Sequence, residues 1–100
     1  MHINKPARSA QFTPGPWVGY TNTDEGRHII SEAYAQDVIV CEQVHTDADI
    51  SIIAAAPVMY ADLRIIRDYL YKLYDDGNMQ AGEYAASLDT TLAQAEGRQV

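Results

Sequence analysis

Residues 47–63 read DADISIIAAAPVMYADL, and the fold turns on how a helix-like stretch accommodates a proline behind three alanines. Asp47 or Asp49 supplies a carboxylate N-cap, and Ile50, Ile53 and Ala54 then mark an apolar face. Pro57 has no N–H to give the Ile53 carbonyl and its ring crowds that oxygen, so the helix must kink or restart there, where a first-turn proline is well tolerated. The small alanines let another backbone come close, which makes IIAAAP a packed elbow that turns the chain from the edge of a sheet onto its face.

Downstream of the elbow, Met59, Leu63, Ile66, Leu70 and Leu73 step by helical spacings and form the strongest periodic signal in the chain. Val58, Ile65 and Tyr69 flank this stripe on one side and Tyr60, Tyr71 and Tyr74 on the other. Arg64, Asp68, Lys72 and Asp75 form a narrow polar strip. So wide an apolar arc exceeds what one sheet covers, and it predicts a homo-oligomer with Tyr60, Ile65, Tyr69, Tyr71 and Tyr74 at the interface. DDGN at 75–78 stops the helix with Gly77 as C-cap, and a second helical segment follows with Tyr84, Leu88, Leu92 and Ala95 as a thinner stripe.

Upstream, WVGYTN, RHIIS and DVIVCEQV are rich in strand formers and separated by TDEG and EAYAQ, which suit hairpin connections. Pro14 and Pro16 bracket Gly15 just ahead of Trp17, an arrangement that anchors the first strand. The expected fold is α+β: an N-terminal three-stranded antiparallel β-meander, then a kinked long helix and a second C-terminal helix. Residues 1–11 read as a flexible arm, and residues 12–100 as a single α+β domain.

Composition narrows function. The 100 residues are 47% hydrophobic and 21% charged, the balance of a folding globular domain. Seven Lys and Arg against fourteen Asp and Glu give a net charge of −7, which disfavours whole-surface attraction to nucleic acid or anionic lipid. No apolar run is long enough to span a membrane and the first residues lack a signal-peptide core, so a cytoplasmic protein is expected. Cys41 is the single cysteine, so no internal disulfide forms. Cys41 and His45 are four apart, but a zinc site would need further ligands, so neither a metal nor any other cofactor is expected. No nucleophile elbow, Walker A or G-x-G-x-x-G pattern occurs, and catalysis is not expected.

FTPGPW, DADISIIAAAPVMYADL and TLAQAEGR together resemble a family of small proteins of tailed bacteriophages and prophages. That family typically carries a T-P-G-P-W opening, a run close to A-N-A-x-L-I-A-A-A-P-x-L/M, and a helix ending in an alanine-rich segment. The resemblance implies a phage protein working in the cytoplasm of a bacterial host. Its class points to a non-enzymatic, stoichiometric inhibitor of an antiviral defence system. The residues offer an acidic partner-binding face at Asp62, Asp68, Asp75 and Asp76, aimed at a host or defence protein. An alternative is capture of a small nucleotide by Trp17, Arg27, His28, Arg64 and Arg67. A structural or assembly role is the third reading.

Overall fold

The computed structural model describes residues 12–22, 24 and 26–98. The proposed arm at 1–11 and the hairpin-tip Glu25 lie outside them. The elements run β1 (Trp17–Asn22), β2 (Gly26–Ser31), β3 (Val38–Cys41), α1 (Asp47–Ala54), α2 (Ala56–Asp75) and α3 (Met79–Ala95), an α+β fold with a three-stranded antiparallel sheet followed by three helices. The chain divides into two compact units, residues 13–61 around the sheet and residues from 62 onward in the helices.

In the sheet unit, β2 lies between β1 and β3, with Trp17 opposite Ser31 and Gly19 opposite Ile29. Neighbouring side chains on a strand point to opposite faces, and Ile29 and Ile30 are both buried, so the central strand is covered on both sides. Trp17, Gly19 and Thr21 share a face with Arg27, Ile29 and Ser31, and α1 packs there. Gly19 makes room for it: a Cβ at this position would lie 2.1 Å from the Ile50 Cγ2.

The proline-rich approach to β1 has few donors to offer, but its carbonyls accept. The Trp17 indole donates to Thr13 O at 2.9 Å, the fully buried Ser31 hydroxyl to Pro14 O at 2.5 Å, and the Glu32 amide to Pro16 O at 2.9 Å. The Gly15–Pro16 peptide bond is cis. A Cβ on Gly15 would sit 3.0 Å from the Pro57 Cβ, so the TPGPW segment and the IAAAP elbow meet. Glycine at position 15, with no Cβ, leaves room for that proline ring.

The elbow is a restart. Helix α1 ends at Ala54, Ala55 is its C-cap, and the Met59 amide returns to the Ala55 carbonyl at 3.0 Å to open α2, with Pro57 in the first turn. Three local expectations change. The N-cap of α1 is Thr46, whose hydroxyl accepts from the Asp49 amide, because Asp47 is drawn off by Arg27. Strand β3 is shorter than DVIVCEQV: Gln43 adopts φ 59°, which breaks the ladder before the Val44 amide donates once more to Arg27 O. The third concerns the long helix.

In the helical unit, α2 turns into α3 through a Schellman-type close, with Gly77 at φ 109°, its amide on Tyr74 O and the Asn78 amide on Leu73 O. Asn78 also caps α3, its side chain accepting from the Ala81 amide at 3.0 Å. The half-buried face of α2 carries Leu63, Leu70 and Leu73 of the predicted stripe together with Arg67 and Tyr71, whereas Met59 and Ile66 of that stripe are exposed. The face is rotated from the predicted stripe toward the flank that holds Arg67 and Tyr71, and both side chains there meet Asp89 of α3. In α3 the buried residues are Ala81, Ala85, Leu92 and Ala93, and Tyr84 of the predicted stripe faces outward. Alanines set that face since they allow close helix approach. Gly82 shows it, with a Cβ there only 2.4 Å from the Tyr74 ring.

Candidate binding surface

Arg67 sits on the covered face of α2 and donates to the Asp89 carboxylate of α3 at 3.1 Å and to its neighbour Asp68 at 3.1 Å. The Tyr71 hydroxyl, one turn along α2, donates to the other Asp89 oxygen in a short hydrogen bond. Burial works against the Arg67 cation, but the hydrogen bonds it donates to Asp68 and Asp89 outweigh that cost, and its pKa lies above the ordinary arginine value. The same carboxylate, followed by burial, holds the Tyr71 phenol above its usual pKa, since ionisation would surrender the hydrogen bond and set two anions together. A group with a raised folded pKa stabilises the fold below its unfolded value and stops doing so as pH climbs through the folded one. The difference between ultraviolet titrations of the parent and Tyr71→Phe is therefore expected to be a phenolate with its midpoint above the usual value of about 10. A difference midpoint at or below that value would contradict the Tyr71–Asp89 bond.

In the sheet unit, Arg27 donates to Asp47 at 2.6 Å and to His45 O at 2.8 Å, tying β2 to the start of α1. The Arg27 hydrogen bond, then its charge, lowers the Asp47 pKa, so the pairing persists at neutral pH and is lost as acid titrates that carboxylate. On the opposite face of β2, His28 stacks on Tyr20 with ring centroids 5.7 Å apart and planes 23° from parallel. The two rings line a cleft of about 270 Å³ with Thr21, Asn22, Ile30 and Asp37.

These positions bear on the nucleotide-binding set. Arg27 and Trp17 lie on one face of the sheet and His28 on the other, since alternate strand residues diverge. Arg64 and Arg67 belong to the helical unit. Both Arg27 and Arg67 spend their guanidinium groups on the protein's own carboxylates, and the cleft beside His28 contains Asp37. Of the anions that engage these arginines, the sequence reading passes over Asp89 and offers Asp47 only as an N-cap. Their signal lies in partners 22 and 20 residues away, which no local pattern encodes.

The acidic set divides as well. Asp68 and Asp75, seven residues apart, share one strip of α2, Asp76 lies just past the helix, and Asp62 stands on the apolar side beside Ile66 and Tyr69. Of the five aromatic and aliphatic residues assigned to an oligomer interface, Tyr60 is half-buried, Tyr71 is engaged with α3 and Tyr74 packs on Gly82, while Ile65 is 67% and Tyr69 59% exposed.

The charge distribution is one-sided. Asp24, Glu32, Asp37, Glu42, Asp49, Asp62, Asp75, Asp76 and Glu83 are exposed and make no ion pair among the described residues. Arg27, Arg67 and Arg98 are each paired internally. Among the described residues no group of three or more His, Cys, Asp or Glu side chains is placed to hold a metal ion, and no helix is long and apolar enough to cross a membrane.

Fold and surface together define a small acidic α+β protein whose chemistry is concentrated on exposed carboxylates and an uncovered helix face. Residues 1–99 match the family of Salmonella phage P22 protein Y8K6, and the chain belongs to that family of phage proteins. No curated protein and no solved structure matches it.

Proposed function

We propose that this phage protein is a non-enzymatic binding protein that occupies a basic surface on a host protein, with interference in an antiviral defence pathway as its role in the infected bacterium. The observation that supports this reading is the set of exposed carboxylates without ion pairs among the described residues, set against Arg27, Arg67 and Arg98, which are each paired within the fold. Such a surface speeds encounter with a cationic partner and repels phosphate. It favours a protein target over a nucleotide, because a phosphate would have to displace Asp47 from Arg27 or Asp89 from Arg67.

The test begins with capture of the partner from phage-infected cells and measures its affinity for the purified protein across a salt series. Asp75→Lys with Asp76→Lys is the informative double variant. It places cations at the C-terminal end of α2, where the helix dipole favours them, so the fold should be kept. Binding is expected to weaken about tenfold or more, with a shallower salt dependence. Inhibition that titrates at one equivalent agrees with occupation. Protection of the target at a small fraction of an equivalent, with product accumulating, would show turnover and overturn it. Stabilisation by a nucleotide and not by the captured protein would move the function to the sequestration reading.

A further inference from the structure

Helix α2 runs for twenty residues and none of them is fully buried. Its open side carries Asp62, Ile65, Tyr69 and Lys72, spaced three, four and three apart, which places them within an arc of about 80° on a helix of 3.6 residues per turn. This is the seam spacing of a two-helix coiled coil. Its centre is apolar and open, with Ile65 and Tyr69 both more than half exposed. Its ends carry opposite charges, and neither Asp62 nor Lys72 makes an ion pair among the described residues.

We infer that this seam is covered by the same seam of a second copy, running antiparallel about a two-fold axis at the level of residue 67. In that register Ile65 of each copy meets Tyr69 of the other, and Asp62 of each meets Lys72 of the other. The two ion pairs then lie about 7.5 Å on either side of the axis, five residues at 1.5 Å each. A C₂ contact requires a patch to complement itself, and this one does so in charge and in apolar content in the antiparallel sense only. A parallel pair would set Asp62 against Asp62 and Lys72 against Lys72. The apolar centre supplies the attraction, while the exposed end pairs add little affinity and instead exclude wrong registers. The interface therefore differs from the sequence expectation in using Ile65 and Tyr69 without Tyr60, Tyr71 and Tyr74. It stands independently of the proposed function, whose test residues lie outside the seam.

Sedimentation equilibrium of the full chain, with circular dichroism to confirm helical content, tests the pairing. The parent should dimerise in the micromolar range. Asp62→Lys and Lys72→Asp should each weaken the dimer about tenfold or more by opposing like charges, and the double swap should return it to within about threefold of the parent. Ile65→Glu, at an exposed position, should leave a folded monomer. A parent that stays monomeric at high micromolar concentration would overturn the proposal and leave the seam to a different protein. Single reversals without effect, or a double swap that fails to restore the dimer, would overturn the antiparallel register.

Discussion

Gly19→Ala is expected to destabilise the sheet unit by about 1–3 kcal/mol, the usual cost of forcing a methyl into a filled site. The added carbon would lie 2.1 Å from the Ile50 Cγ2 and 3.5 Å from the Ile50 Cβ. A branched Ile side chain in a helix has one strongly preferred rotamer, so Cγ2 cannot swing aside and α1 must lift from the sheet. Glycine at this strand position costs conformational entropy, and alanine would recover about 0.4–1 kcal/mol of it through the unfolded chain, an offset smaller than the clash. Chemical denaturation gives the value. The sharper check is Ile50→Ala in the Gly19→Ala background, whose combined loss should be well below the sum of the two single losses since the second change removes the obstructing atom. Equal denaturation midpoints for Gly19→Ala and the parent would mean that α1 does not pack over Gly19.

Asp89→Ala should cost the helical unit about 1–3 kcal/mol, because it leaves the Arg67 guanidinium and the Tyr71 hydroxyl without their shared acceptor. The 3–5 kcal/mol or so typical of breaking a fully buried ion pair is not expected. The Arg67 and Asp89 side chains are 20% and 43% exposed, so water screens the pair and partly replaces the lost partner. Asp89→Asn keeps an acceptor and gives up the charge, and should fall between the parent and Asp89→Ala. Tyr71→Phe and Asp89→Ala combined should lose less than the sum of the two, since one hydrogen bond is counted in both. A purely additive pair would show that the phenol and the carboxylate do not interact.

Both predictions concern contacts that the local sequence pattern could not show. The order of elements was legible because each leaves a short-range mark: strand-forming runs between turn residues, a proline that cannot donate, and Gly77 at the helix stop. Helical periodicity also announced α2 and its excess of apolar surface. It centred the covered face on Met59 and Ile66, however, which are exposed, whereas the face lies nearer the tyrosine flank, where Arg67 falls within the apolar arc. The arginine's partner is Asp89 on the next helix, and that pairing turns the helix toward its polar residue. The alanine face of α3 was passed over in favour of Tyr84 for a related reason: burial there rewards smallness, which lets backbones approach, more than it rewards apolar area.

Sequence by itself determined the α+β class, the three-strand-then-helices order, a break in the helix at Pro57 and the acidic balance, because these follow from backbone stereochemistry, residue periodicity and a sum of charges. That the break is a restart and not a kink came from the structure. Tertiary structure alone decided which charges remain available. Arg27 finds Asp47 and Arg67 finds Asp89 across about twenty residues of chain, while Asp62 and Lys72 are left at the two ends of an open apolar seam. An ion pair depends on a separation of a few ångströms, and over so many intervening residues only the folded backbone sets that distance.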